Sequence, residues 1–376
     1  MAQAYTPGLK ITENSTILKE RRLPLQGDVL VKKGDKVKAQ DVVARTFLPG
    51  NVTMVNFAHK LGCDAAALPG KLLKKEGDKV EKDEVIAETK GLFGMFKTVI
   101  KAPISGTMEN ISRVTGQVQF RGAPLPVSID AYIDGEVVDV IEGEGVVVKT
   151  TGALLQGIIG VGGEAFGEIK MLVDSPDEEL TEAKITPECK DKLIVGGSFV
   201  RVSVLRKAVE MGVSGLVVGG MDAQDMTDFM GHDLGVAITG SERLGLTFML
   251  TEGYGQISMA RATFSLLKKL EGRMASMNGA TQIRAGVLRP EIIIPNPVGQ
   301  DAGKLDDEES ESGAMNIGTL LRGIRVPYFG KIGKVVALPP ELQRMESETM
   351  VRVVEVEFED GTKAIMPRAN VELIEI

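Results

Sequence analysis

"KEGDKVEKDEVIAET", residues 75–89, aligns without a gap to "KKGDKVKAQDVVART", residues 32–46, with eight of fifteen positions identical. A repeat of this kind implies two copies of one supersecondary unit. In each copy a Gly-Asp-Lys-Val turn opens a run of apolar residues. Gly34 and Gly77 are expected at positive φ, Asp35 and Asp78 can bond the backbone of their own turn, and the valines that follow begin extended segments. Downstream, "VIKAPISGTMENI" (99–111) sets Pro103 and Gly106 around a second turn between alternating apolar positions. This amino-terminal region therefore reads as a small β-barrel or sandwich with glycine corners, built from two quasi-equivalent halves.

"GDKVEKDEVIAE" followed by "KAPISGTMENI" resembles the barrel-sandwich hybrid fold of biotinyl and lipoyl carrier domains. The resemblance is closest to the amino-terminal barrel of the RnfC-like subunits of Rnf complexes and of the corresponding subunits of the sodium-pumping NADH:quinone reductases, and it covers about residues 20–120. In biotinyl carriers it implies a modified lysine in a Met-Lys-Met-like hairpin tip ahead of an Ala-Pro. Here the tip reads "KGLFGMFKTVIKAP": Met95 stands at that place, and Lys97 lies two residues on between Phe96 and Thr98, which do not match. The Asp-Lys tip of lipoyl domains is absent too. Lys97 is thus at most a weak attachment point, and no cofactor is expected. The glycine-rich flavin segment and cysteine-rich iron–sulfur motifs of Rnf-type proteins are also missing, which leaves the scaffold portion of the resemblance.

The chain has 376 residues, enough for two to four domains at roughly 100–200 residues each. Charged residues make up 26% and hydrophobic ones 43%, the balance of a globular protein rather than a disordered one. The start lacks a basic segment followed by an apolar one, and no apolar run reaches membrane-spanning length; a cytoplasmic protein without membrane insertion is expected. Net charge is −8, against a general nucleic-acid surface. Cys63 and Cys189 are far apart and form no zinc or iron–sulfur motif, so no metal site is expected.

The pattern divides the chain into a barrel-sandwich hybrid over residues 1–124, a β-rich extension over 125–185, a small α/β domain over 186–296, an acidic linker or loop over 297–316, and a last β domain over 317–376. The fold class is multidomain α+β. In the extension, "GVGGEAFGE" (160–168) is read as a glycine-cornered hairpin, because strand residues rather than a helix follow it. In 186–296, short apolar runs such as "KLIVGGS" and "SGLVVGG" alternate with amphipathic helices such as "VRVSVLRKAVEMG". This predicts a sheet with parallel strands covered on both faces.

Ligands in such sheets bind at the carboxyl ends of strands. The candidate residues are therefore Gly196, Gly197, Ser198, Gly219, Gly220, Asp222, Thr239, Gly240 and Ser241, with sharp βα turns as the structural alternative. Asp222, Glu242 and Glu252 are available as acids or bases, but His59 and His232 are the only histidines and no nucleophile–base grouping is apparent.

The last segment resembles an SH3-like barrel of the KOW type over about residues 325–376, through Gly330, Gly333, Val335, Asp360, Gly361, Pro367, Asn370 and Glu372. The resemblance implies contact with RNA or with ribosomal and transcription proteins. Glu355, Glu357 and Glu359 dilute the local lysines and arginines, so protein contact is expected over RNA. The chain reads as a non-catalytic adaptor or assembly protein whose partners are other protein chains, with a homo-oligomer included. Membership of a redox or cofactor-dependent complex, and an enzyme or small-anion binder using the glycine loops, are the alternatives.

Overall fold

The computed structural model describes residues 9–89, 98–232, 240, 242, 244–282, 288–297, 315, 317–323, 325, 327–328, 331–339, 342–344, 350–358 and 361–375. The protein is mostly β with few helices, as a multidomain α+β chain. Among these residues no helix is long and apolar enough to cross a membrane.

The two halves of the repeat fold alike. Gly34 and Gly77 sit at φ +92° and +90°, a conformation that only glycine adopts without strain. The backbone N–H groups of Lys32 and Lys75 donate to Asp35 Oδ2 and Asp78 Oδ2, both at 2.8 Å, so each aspartate closes its own turn.

The equivalence extends beyond the aligned stretches. "IDAYIDGEVVDV" (129–140) holds the place in the first unit that "IKAPISGTMENI" (100–111) holds in the second. Gly135 pairs with Val37 as Gly106 pairs with Val80. Ala39 N donates to Asp134 Oδ1 at 2.7 Å, as Lys82 N donates to Ser105 Oγ at 2.9 Å. Each unit has a core of its own, with Val37, Val43, Ile133 and Val137 in the first and Val80, Ile86, Ile100 and Met108 in the second.

The second unit is inserted into the first. Strand Val42–Leu48 pairs antiparallel with Leu125–Asp130, and beyond Gly50 strand Val52–Asn56 pairs with Gln117–Gly122 in continuing register. These four strands form one ribbon that leaves the first unit and enters the second. A boundary at 124/125 falls inside this ribbon, and residues 131–148 contribute Ala131, Ile133, Val146 and Val148 to the first unit's core. The reason is spatial: a repeat nested in another returns to its host only after the insert has closed.

The 125–185 and 186–296 segments likewise share one sheet. Leu9–Arg22 runs antiparallel along Gly145–Gln156, which pairs with Glu291–Pro295, then Met274–Asn278, then Glu164–Met171. From there the sheet continues in parallel through Lys192–Val195, Gly215–Met221 and Thr247–Tyr254, the parallel strands that the sequence predicts. Side chains alternate across it. Ala165, Ala275, Met277, Ile292 and Ile294 meet the helices Val202–Glu210, Ala223–Met230 and Arg261–Lys269, while Phe166, Ile293 and Val148 face the first unit.

"GVGGEAFGE" is not a hairpin. Ile159–Val161 pairs with Thr247–Tyr254, whereas Glu164–Met171 pairs with Lys192–Val195 and Met274–Asn278, so Gly162 at φ +87° turns the chain between different partners.

In the carboxy-terminal module, Leu320–Gly323 lies between Ile332–Ala337 and Val371–Glu375, and Met350–Phe358 forms a hairpin with Lys363–Pro367 through Gly361 at φ +81°. Leu321, Val335, Val354, Val356 and Phe358 fill its core. Gly330 and Asp360 lie outside the described residues. Leu9 and Lys10 pair in parallel with Ile374 and Glu375, tying this module to the first strand of the central sheet.

Candidate functional site

The glycine-rich strand ends come together incompletely. Gly196, Gly197 and Ser198 follow strand Lys192–Val195, and Gly219 and Gly220 close its neighbour. Three of their N–H groups are already used: Gly196 N donates to Val217 O at 2.8 Å, Ser198 N to Glu178 O at 2.9 Å, and Gly219 N to Gly197 O at 2.7 Å. A Cβ on Gly197 would overlap Glu178 O, one on Gly219 would overlap Ile257 O, and one on Gly220 would overlap Gly255 O. Glycine is required here because backbone packs on backbone, and the same packing closes the space where an anion would sit. Ser198 is buried, and its hydroxyl donates to Asp177 O at 2.8 Å.

Asp222 precedes helix Ala223–Met230, is exposed, and caps no N–H with its side chain. Gly240 belongs to the other end of the sheet. Thr247 pairs with Gly215 at the start of the parallel strands, and Gly240, a few residues before it, lies against Gly163 and Ala280. Its N–H donates to Glu242 Oε2 at 2.6 Å. The glycine loops therefore do not converge on a single cleft. Thr239, Ser241, Met95 and Lys97 lie outside the described residues.

Glu252, at the end of its strand, is committed to structure. Arg322 of the carboxy-terminal module reaches it in an ion pair whose side chains are 4% and 5% exposed. Glu252 Oε1 also accepts from Ala260 N at 3.0 Å, just ahead of helix Arg261–Lys269. The pair joins the module to the central sheet, and nothing in the sequence around Arg322 announces it.

A second grouping that sequence reading missed lies between the first unit and the central sheet. Tyr132 is fully buried with φ +70°, a left-handed conformation unusual for a bulky residue. Its N–H donates to Ala39 O at 2.7 Å; in the second unit the equivalent residue is Pro103, which has no N–H to give. The Tyr132 ring packs edge-on against Phe166 at 6.2 Å between centroids and lies under the Arg21 guanidinium at 5.2 Å.

Arg21 in turn makes a forked pair with Glu164, at 2.6 and 2.8 Å, and donates from Nε to Asp130 O at 2.7 Å. Lys19 pairs with Glu291 at 2.5 Å. Burial pushes the Tyr132 phenol well above the ordinary tyrosine value, and Glu291 and Glu164 push the same way. Its hydroxyl forms no hydrogen bond of standard geometry, although Glu291 is close enough to act on it. The alignment of 129–140 with 100–111, where Tyr replaces Pro, is the sequence signal for this position.

The inter-unit ribbon exposes several large apolar side chains. Phe47 is 59% and Met54 62% exposed, and Val52 and Leu125 are exposed as well. Among the described residues, Val52–Asn56 pairs on one edge only, and so does Leu125–Asp130. No protein-family model matches the chain, and no curated protein matches it.

Proposed function

We propose that this chain is a non-catalytic adaptor that works by binding other protein chains, with the inter-unit ribbon as its contact surface. The exposed apolar side chains of Val52, Met54 and Leu125, on strands with one open edge, and of Phe47 beside them carry this reading. Exposed apolar groups gain about 25 cal/mol per Å² when covered, and an open edge accepts a further strand through main-chain hydrogen bonds. The resemblance of residues 20–120 to scaffold barrels supports the same reading, and so does the commitment of Glu252 and the strand-end glycines to packing.

Light scattering on the full chain, beside affinity capture with the wild type and with Met54→Glu and Phe47→Glu, tests this. The expected result is a mass above the 40.2 kDa of one chain, or a partner bound by the wild type, lost in both variants. A single-chain mass with the same capture by all three proteins refutes it.

A further inference from the structure

The nested repeat puts three strands in comparable edge positions. Val52–Asn56 lies antiparallel outside Gln117–Gly122, as Leu9–Arg22 lies outside Gly145–Gln156, and Leu125–Asp130 pairs only with Val42–Leu48 among the described residues. An open edge invites a further strand, and charge or proline blunts it. Leu9–Arg22 ends in the charged run Lys19 to Arg22. In Leu125–Asp130, Pro126 has no N–H to offer and Asp130 O is taken by Arg21 Nε. Val52–Asn56 has no such guard: residues 46–58 contain no charged side chain, and its own five residues contain no proline.

The ladder fixes which of its main-chain groups are open. Gly122 N donates to Asn51 O and Phe57 N to Gly116 O, both at 2.9 Å, so residues 51, 53, 55 and 57 bond toward Gln117–Gly122. Val52, Met54 and Asn56 therefore turn their N–H groups to the open edge, and Val52 and Met54 turn their carbonyls there too. Asn56 O sits at the N-cap of helix Phe57–Leu61. The same three side chains are exposed, while Val55 packs on the second unit's core. This pattern is symmetric about Met54. An antiparallel copy of the strand, with Met54 opposite Met54, closes reciprocal bonds there and one from each Asn56 N–H to the other copy's Val52 O. No like charges face each other in that register, and Arg121, next to Val52 on the neighbouring strand, is already paired with Glu109.

We propose that a second copy of this chain occupies the Val52–Asn56 edge, paired antiparallel about Met54, so that two four-stranded sheets become one continuous sheet across a two-fold axis. The inference rests on the ribbon's being a contact surface and names its partner. The contact is short, in the class of weak interfaces below about 1,200 Å², so the dimer forms reversibly with concentration. Pairing uses up the edge on both copies, and assembly stops at two.

Sedimentation equilibrium of the full chain from about 5 to about 500 µM tests it, in about 0.15 M salt to screen the net charge of −8 beyond about 8 Å. The average mass is expected to rise from 40.2 kDa toward twice that and no further. Met54→Pro removes an outward N–H and no ladder bond, and is expected to stay at the single-chain mass with its unfolding curve in place. Met54→Cys in a Cys63→Ser background is expected to form an intermolecular disulfide on mild oxidation, because Cα atoms of a hydrogen-bonded pair lie about 5.5 Å apart. Val114→Cys, at a residue 90% exposed in the turn 112–116, is expected not to, and this comparison reads the register without the proline variant. A single-chain mass at every concentration overturns the proposal, as does a dimer unchanged in Met54→Pro or equal cross-linking at positions 54 and 114. A single-chain mass together with a different protein captured by the wild type and lost in Met54→Glu overturns the self-pairing alone and leaves the adaptor reading standing.

Discussion

Arg322 carries a charge into a place that water barely reaches, and Glu252 is the group that makes this tolerable. Removing one member of such a pair strands the other, which typically costs about 3–5 kcal/mol, whereas replacing both by apolar residues is far milder. Arg322→Met is therefore expected to lose about that much stability in urea unfolding, and Arg322→Met/Glu252→Leu to recover most of it. Tyr132 makes a different prediction. Its phenol is held above the ordinary value near 10, so the folded state keeps the proton more tightly than the unfolded chain. The stability this gives is full below about pH 10 and declines as pH rises above it. Tyr132→Phe is expected to change stability by less than about 1 kcal/mol at neutral pH, since the hydroxyl has no good hydrogen bond to lose, and to flatten the alkaline decline. Urea midpoints at neutral and alkaline pH in both proteins check the two outcomes together.

The turns and strand ends show how one residue type serves different ends. Gly34 and Gly77 have open space around the Cβ position but a left-handed backbone, so Gly34→Ala and Gly77→Ala are each expected to cost about 1–2 kcal/mol. Gly219 and Gly220 lack that backbone conformation and instead face carbonyl oxygens where a Cβ would go. Gly220→Ala must move the 253–259 segment and is expected to cost more, about 3 kcal/mol, as read by thermal or urea unfolding. The sequence pattern located all four glycines at turns or strand ends and predicted the Gly34 and Gly77 conformations. It could not separate the two causes, because an anion cradle and a backbone crossing both call for a residue without a side chain. Which one applies at Gly219 and Gly220 depends on segment 253–259, brought there from elsewhere in the chain.

At the scale of the whole molecule, the nested repeat divides the amino-terminal region between a pair of separate cores joined by one ribbon. Gly50 approaches Gly122 and Ala123 closely, so the two ends of the insert meet. Replacing residues 51–121 by a short turn is expected to leave the rest of the chain folded, because the buried cluster around Phe57, Met108 and Phe120 is lost as a unit while the cluster around Val43, Ile133 and Val148 keeps its members. Circular dichroism and a single unfolding transition of the shortened protein check this; loss of cooperative unfolding would show that the two units depend on each other.

Local physics explains what the sequence by itself determined. The Gly-Asp-Lys-Val repeat, the parallel strands among amphipathic helices and the hairpin at Gly361 all follow from short-range terms: the φ range open to glycine, the reach of an aspartate to its own turn, and the period of apolar residues. Only the tertiary structure decided that one repeat unit sits inside the other, that the 125–185 strands complete the sheet of the 186–296 region, that Arg322 meets Glu252, and that the Tyr132 ring packs on Phe166. Each of these joins residues far apart in the chain. Their partners are set by strand pairing and by the burial of faces left uncovered, and a local pattern carries no information about which distant segment will cover them.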